Sequence, residues 1–449
     1  MAKVYVVHRI DTEGPLNETL EATFARINAF CGGSGIEPTL DNLRKIQAGE
    51  LDLNGKEELA KFIFCPRFLN YNRTWQDLDK MLDEITSEDF RQAHADSQGR
   101  GWQYSWFVID HPPTDYNPRN RDIGWHNIYD HYQSYYRRHR IQADNFQWHA
   151  HPMNAYKNAA GCGNSFISSP HIWQSLARRL VDRGFFPSAY SAGFHAERPD
   201  SHWLLEQYIP YDFSNQAMEL TDMDKAQAGV GDGRFGDWRR APATWEHYHP
   251  SHDDYQLPGD CRRVIFRCLN VGTRLRCLTQ AETDKAFARA ADGKDTVLCF
   301  MDHDFRHIGA DIDEVYALLQ NAAAKFPQVE WLNATATEAA RAVTQADGRG
   351  ITLTAHIDNA AAKPVLTVQT DADTFGPQPF FVIKMRGERY FLDNLDFQTP
   401  RRKWTYTFDA DSVKPEDVEA VGVAANSMTG TGALSVITFD NRELFCHRW

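Results

Sequence analysis

The chain has 449 residues, a formal charge of −13, and 42% hydrophobic and 24% charged residues. That length and balance suit two or three domains with large cores. The acidic charge and the lack of a basic stripe argue against a nucleic-acid partner, and no run approaches the ~18–20 apolar residues that span a bilayer.

The N-terminal MAKVYVVHRIDTEG turns polar without a cleavage pattern. It reads as a core strand rather than a signal peptide. Lys3 to Ile10 is a buried strand that delivers Asp11 and Glu13 at its C-terminal end. A helix follows over Leu20–Phe30, stopped by Cys31-Gly-Gly, and Phe62-Ile-Phe-Cys-Pro reads as a second strand. Trp75–Ile85 has helical spacing, Tyr104–Ile109 reads as a strand, Asn127–Arg138 as a helix capped by Asn127, and Phe146–His151 as a strand. A helix over Ile172–Val181 ends near Gly184, and Ser188–Phe194 is the next strand. Trp203–Leu205 opens a short helix, and Tyr208–Phe213 is extended.

Residues 216–262 are rich in Gly, Asp, Pro and aromatics and lack periodicity, so an ordered loop covering a site is expected there. Val264–Cys268, Thr296–Met301 and Val329–Leu332 are strands, and Gln280–Ala291, Ile312–Ala324 and Thr335–Ala342 are helices. This alternation implies α/β architecture with a parallel sheet. Polar residues fall repeatedly just after the strands, which favours a closed barrel with its chemistry at that end.

After the turn-rich Gln345-Ala-Asp-Gly-Arg-Gly, six short runs rich in Val, Ile, Thr, Phe and Tyr lie between 351 and 439. They read as an all-β sandwich. Trp404, Tyr406 and Phe408 would share one face, and burial explains that better than sugar binding. The eight cysteines (31, 65, 162, 261, 268, 277, 299, 446) form no CxxC pair. Free thiols in a reducing cytoplasm are expected.

Four clusters carry chemistry. In Asp11-Thr12-Glu13 both carboxylates face one side of an extended chain, where they repel unless a cation or proton separates them. In Trp148-His149-Ala150-His151-Pro152 two imidazoles share a face, a donor set for zinc or a similar divalent metal. In Met301-Asp302-His303-Asp304 a histidine flanked by acids suits a general acid. Arg198, in His195-Ala196-Glu197-Arg198-Pro199, offers a donor fork to a carboxylate or forms a surface ion pair. Cys162 is the only candidate nucleophilic thiol, and a turn cysteine is the plainer reading.

In this order the motifs resemble the polysaccharide deacetylase (NodB-like, carbohydrate esterase family 4) superfamily. The resemblance is carried by Ile10-Asp11-Thr12-Glu13-Gly14, Phe62-Ile-Phe-Cys, Trp148-His149-Ala150-His151-Pro152, Arg198-Pro199 and the strand ending at His303, over residues 3–342. It implies a distorted (β/α)7-type barrel over 1–345, with insertions near 86–140 and 216–262, followed by a β-sandwich over 346–449 of possible carbohydrate-binding use. It further implies Asp11, His149 and His151 as ligands of a divalent metal, zinc first, with Glu13 as base, His303 as acid and Arg198 orienting the base. The implied reaction is hydrolytic removal of an N-acyl group, such as acetyl, from an amino sugar in a polysaccharide or its precursor. Trp148, Asn154, Trp238 and Trp245 would meet the substrate, and a cytoplasmic enzyme would favour a precursor.

Two features depart from the family pattern: Thr12 separates the acids, and the histidines are HxH rather than HxxxH. Glu13 as ligand with Asp11 as base therefore stays open. So does a divergent branch similar to deacetylase-like proteins of bacterial surface-polysaccharide biosynthesis. A glycoside hydrolase pairing Glu13 with Glu197 or Asp304 and a non-catalytic sugar-binding protein are the alternatives. The sugar, the acyl group and the oligomeric state are not legible.

Overall fold

The structure is a computed structural model describing residues 2–449 except 33–34, 228, 235, 347–348 and 361. The Gly33 stop signal, Asp347-Gly348 of the hinge and two positions of the 216–262 loop therefore lie outside the described residues.

Strands β1 (Lys3–Thr12), β2 (Ser105–Val108), β3 (Asn145–Ala150), β4 (Ala189–Ala192), β5 (Tyr211–Asn215), β6 (Val264–Asn270) and β7 (Thr296–His303) pair in parallel in chain order. β7 then pairs along β1, closing a seven-stranded barrel. An eighth strand, β8 (Glu330–Asn333), shares one edge of β1 with β2: Lys3–Val6 register with β8, and Arg9–Thr12 with β2. The barrel is distorted at that seam. Both faces of these strands are covered, which is why they read as apolar runs rather than as alternation.

Alternate residues fill the interior, where Val7, Phe107, Phe213, Phe266, Cys268 and Met301 pack together. The opposite faces meet the outer helices, as Val6, Ile10, Leu298 and Phe300 do. Helix boundaries follow side-chain chemistry. Thr74 and Thr335 form capping boxes with Asp77 and Glu338, and Gly184 adopts the left-handed conformation (φ 59) that ends the helix Pro170–Arg183.

Three expectations are corrected. Phe62-Ile-Phe-Cys is not a strand: it lies in and after the helix Glu57–Ile63. Leu59, Ala60 and Ile63 recur at helical spacing and pack with Phe24, Ile27 and Ile46 in a small helical core of their own. The long excursion from the barrel runs between β1 and β2, whereas 86–140 itself contains strand β2 and the helix Asn127–His139. That helix is preceded at its cap position by His126, without a side-chain cap, so Asn127 is its first residue.

Beyond residue 350 come β9 (Leu353–Asp358), β10 (Val365–Thr370), β11 (Phe380–Met385), β12 (Arg389–Leu392), β13 (Asp396–Thr399), β14 (Lys403–Thr407), β15 (Val418–Asn426), β16 (Gly432–Thr438) and β17 (Glu443–Arg448). They form antiparallel sheets ordered β13-β14-β10-β9 and β12-β11-β15-β16-β17. Leu366, Val368, Trp404, Tyr406 and Phe408 share one core with Phe381, Val421 and Val423. The outer face of the five-stranded sheet is buried too: Phe380, Val382 and Leu434 cluster with Leu176, Leu180 and Val181 of the barrel helix Pro170–Arg183. A Cβ on Gly422 would lie 2.9 Å from Val181 Cγ2, so glycine permits this approach.

Asp182 pins the same interface. It accepts from Tyr390 Oη at 2.8 and 2.7 Å and from Lys384 Nζ at 3.1 Å, and lies 3.4 Å from His126 Nε2. Burial works to raise this carboxyl, but His126, Tyr390 and Lys384 outweigh it and hold it down at about 2. Its folded-state value thus lies below the ordinary 3.8, so its stabilisation is complete above that value and fades as the pH falls toward 2. Asp182→Asn should cost about 1–3 kcal/mol at neutral pH, with the gap closing in acid. Thermal unfolding of both proteins across acidic pH checks this, and a gap that does not change with pH would contradict it.

Candidate metal centre

The strand ends bring five side chains together. β1 points Arg9, Asp11 and then Glu13 inward because alternate residues share a face. The i, i+2 relation likewise carries His149, the penultimate residue of β3, and His151 into the same space. His303, the last residue of β7, registers with Asp11 across the β1–β7 pair.

His149 Nε2 and His151 Nε2 are 3.0 Å apart. Glu13 Oε1 lies 3.7 Å from the first and 3.6 Å from the second. One ligand atom each from Glu13, His149 and His151 lies within 4.8 Å of the others, making this a group that could hold a metal ion. Ligand atoms about 2.0–2.2 Å from one zinc ion are mutually some 3–4 Å apart, so the set fits. The tautomer fits as well. His149 Nδ1 faces the Ser191 carbonyl at 2.9 Å, which can only accept, so the neutral ring carries its proton there and turns the Nε2 lone pair to the centre.

Asp11 stands apart from this group. Arg9 Nη2 donates to both its oxygens, at 2.7 and 2.8 Å, Arg9 Nε adds a third bond at 3.1 Å, and Ser191 Oγ donates at 2.9 Å. Burial opposes its charge, but Arg9 followed by His149 and His303 hold the carboxyl far below the usual range. The candidate group thus joins His149 and His151 to Glu13, where the expectation put Asp11, whose two oxygens are engaged by Arg9. Arg121 Nη2 holds Glu13 Oε2 at 2.5 Å, which leaves Oε1 for the histidines.

His303 borders the group, its Nε2 being 3.9 Å from Glu13 Oε1 and 4.0 Å from Asp11 Oδ2. Burial pushes it down to about 3, although Glu13 and Asp11 pull upward. Its two sequence neighbours do not touch it in the expected way. Asp302 faces outward to His8 Nε2 at 3.0 Å. Asp304 accepts from the backbone N–H groups of Glu13 and Gly14 at 2.8 and 3.0 Å and from Tyr132 Oη at 2.9 Å. Burial pushes the Asp304 carboxyl up to about 7 against those donors. It is a brace for the acidic turn.

The other expected residues lie elsewhere. Arg198 donates to the carbonyls of Glu197, Gly233 and Arg234, stapling a loop, and has no recorded contact with Glu13. Trp148 is on the face of β3 opposite His149, packed on Tyr190. Trp238 is buried with Tyr248 and Tyr255, and Trp245 lies under Arg267. Asn154 caps a turn by accepting from Asn158 N at 3.0 Å. None of the four lines the cavity beside the metal group. Among its described residues, the 216–262 loop does not line it either; it supports the site from behind, Trp238 Nε1 donating to His195 O at 3.0 Å.

That cavity, of about 400 Å³, is lined by Asp11, Glu13, His151 and His303 and opens toward Phe30, Tyr71 and other residues of the β1–β2 excursion. Sequence reasoning passed over Arg9, His111, Arg121 and His195. Arg9 and His111 were readable: a charged residue inside an apolar strand needs a partner, and Asp110-His111-Pro112 follows β2 as His151-Pro152 follows β3. His111 Nε2 meets Glu13 O at 3.0 Å. Phe194 and His195 take left-handed φ values of 51 and 52 as the chain turns off β4, a conformation their sequence does not announce.

Compared with family models, curated proteins and solved structures, the chain has no match. Its standing as a barrel with a candidate metal group rests on geometry alone.

Gly193 is the tightest test of that geometry. A Cβ there would lie 2.2 Å from His151 Cδ2, so Gly193→Ala must displace the imidazole. Zinc affinity, measured by competition with a chromophoric chelator, should fall by about 10- to 100-fold in Gly193→Ala, and further in His149→Ala. Unchanged affinity in both would remove the site.

Proposed function

We propose that this protein is a zinc-dependent hydrolase that removes an N-acyl group, such as acetyl, from an amino sugar of a polysaccharide or its precursor. The observation that carries the reading is the convergence of Glu13, His149 and His151 with Asp11 and His303 at the C-terminal mouth of a parallel barrel. The order of these residues along the chain, which resembles the deacetylase motifs, supports it.

Glu13, His149 and His151 would hold the ion. A divalent cation there would polarise a carbonyl and make water acidic enough to attack it near neutral pH. Asp11 is the proton acceptor: Arg9 keeps it ionised and fixed in place, so position rather than basicity qualifies it. His303 Nε2, facing Asp11 Oδ2 at 4.0 Å, would take up the proton that Asp11 accepts from water and pass it to the departing amine. The arginine tether that resemblance placed on Arg198 is here made by Arg9, two residues before the acid it holds.

The glycosidase alternative lacks its second carboxylate. Glu197 is fully buried against Arg263 at 2.5 Å, and Asp304 is engaged with the backbone of Glu13 and Gly14. A non-catalytic sugar binder would have no use for a fixed acid–histidine pair beside a metal group.

Acetate release from N-acetylated amino sugars, free and oligomeric, tests the proposal. Zinc-loaded protein should turn over at least one of them and lose activity with a chelator. His303→Ala should lower kcat by about 10²–10⁴-fold with zinc content unchanged. A protein that takes up no zinc and cleaves glycosidic bonds would sink this reading.

A further inference from the structure

Beyond the metal group the cavity wall is unusually rich in guanidinium groups: Arg26, Arg119, Arg121, Arg274 and Arg306 all line it. Three of them surround one phenyl ring. Arg121, Arg306 and Arg119 stand 5.0, 5.4 and 5.9 Å from the centroid of Phe305, whose ring in turn lies 4.6 Å from that of His303. The positive wall is therefore continuous with the reacting centre.

Its carboxylates do not balance it. Glu18 is shared by Arg26 at 2.8 Å and Arg119 at 2.9 Å. Glu13 serves Arg121 with one oxygen and faces the histidines with the other. Arg121 and Arg306 are each only 7% exposed, yet Arg121 Nε and Nη1 and Arg306 Nη2 are buried without a hydrogen-bond partner. Buried polar groups are rarely left so unless something else satisfies them. Burial lowers the affinity of Arg119 and Arg306 for their protons, and for Arg119 the neighbouring Arg121 charge adds to the effect. The wall beside them includes the apolar rings of Phe30, Phe68 and Phe305, which offer no acceptor oxygen.

We propose that this wall is an oxyanion subsite, and that the substrate of the hydrolase carries a carboxylate, phosphate or sulfate group seated on Arg119, Arg121 and Arg306 while its N-acyl group meets the metal centre. This rests on the deacetylase reading for the second half of the statement only. Planar donor forks suit such anions, which accept two parallel N–H bonds at once. A cavity of about 400 Å³ accommodates a sugar with one charged substituent, so the selectivity lies in a single residue of the substrate.

Calorimetric titration of the zinc-loaded protein tests it, with N-acetylglucosamine 6-phosphate and N-acetylmuramic acid as charged probes and N-acetylglucosamine and inorganic phosphate as controls. At least one charged sugar should bind tenfold or more tightly than both controls. The double variant Arg119→Gln, Arg306→Gln should lose that advantage while zinc stays stoichiometric. The Arg306→Lys variant, which keeps the charge but not the fork, should fall between. Equal affinity for charged and neutral sugars overturns the proposal. So does phosphate binding as tightly as the sugar acids, or an advantage that survives the double substitution and hence resides on the metal. Repeating the titration after chelation separates the two readings: arginine-dependent selectivity without zinc uptake keeps the subsite and removes the metal enzyme.

Discussion

Two carboxylates at the end of β1 are almost fully buried, and each has its own guanidinium. Burying an unpaired carboxylate costs several kcal/mol. Here Arg9, two residues back on the same inward face, holds Asp11, and Arg121 reaches Glu13 from the loop after β2. The difference between the two pairings is the basis of the proposed roles. Arg9 grips both oxygens of Asp11, so that group is fixed in place. Arg121 takes one oxygen of Glu13 and leaves the other directed at two imidazoles. On the proposed reading, ligand and proton acceptor are separated by which arginine arrives and how.

The seam in the barrel serves the same centre. β2 pairs with β1 only over Arg9–Thr12, while β8 takes the strand's first half. β2 therefore ends level with Thr12, and His111, three residues beyond it, arrives beside Glu13. The long chain between β1 and β2 is free to pack its own helical core and turn Arg26, Phe30 and Tyr71 over the cavity. A strand pair shortened to one end gives room for the lid-like excursion without opening the parallel core below.

Much of the fold was legible because its strands are short apolar runs that end in polar residues, and its helices carry threonine caps. The misreadings have physical causes. Phe62-Ile-Phe-Cys is apolar enough for a strand, and only its partners in the helical core make it a helix. β12, β13 and β17 were unseen because their residues are largely exposed and lack alternation. In the site, His149, His151 and His303 were readable from strand-end position, and inward alternation carried Asp11 and Glu13. Which acid joins the candidate metal group was not, since Glu13 is turned toward the histidines by Arg121, more than a hundred residues away in sequence. The tryptophans show the same limit. Trp148 adjoins His149, but alternation sends it to the opposite face.

Charge ties the site to the whole molecule. The chain carries a net −13, yet the cavity wall is lined by five arginines. A negative exterior disfavours the approach of anions in general, and a low-dielectric pocket of opposite sign concentrates field lines on the few that fit. The two opposed signs act at different ranges. Surface repulsion is screened within about 10 Å of ordinary saline, whereas the buried guanidinium groups are barely screened. An anionic group that reaches Arg121 and Arg306 thus meets donors already ordered by Phe305 and has little entropy left to lose. The same ring packs against His303, so the proposed recognition of charge and the placement of the imidazole are parts of one packed unit.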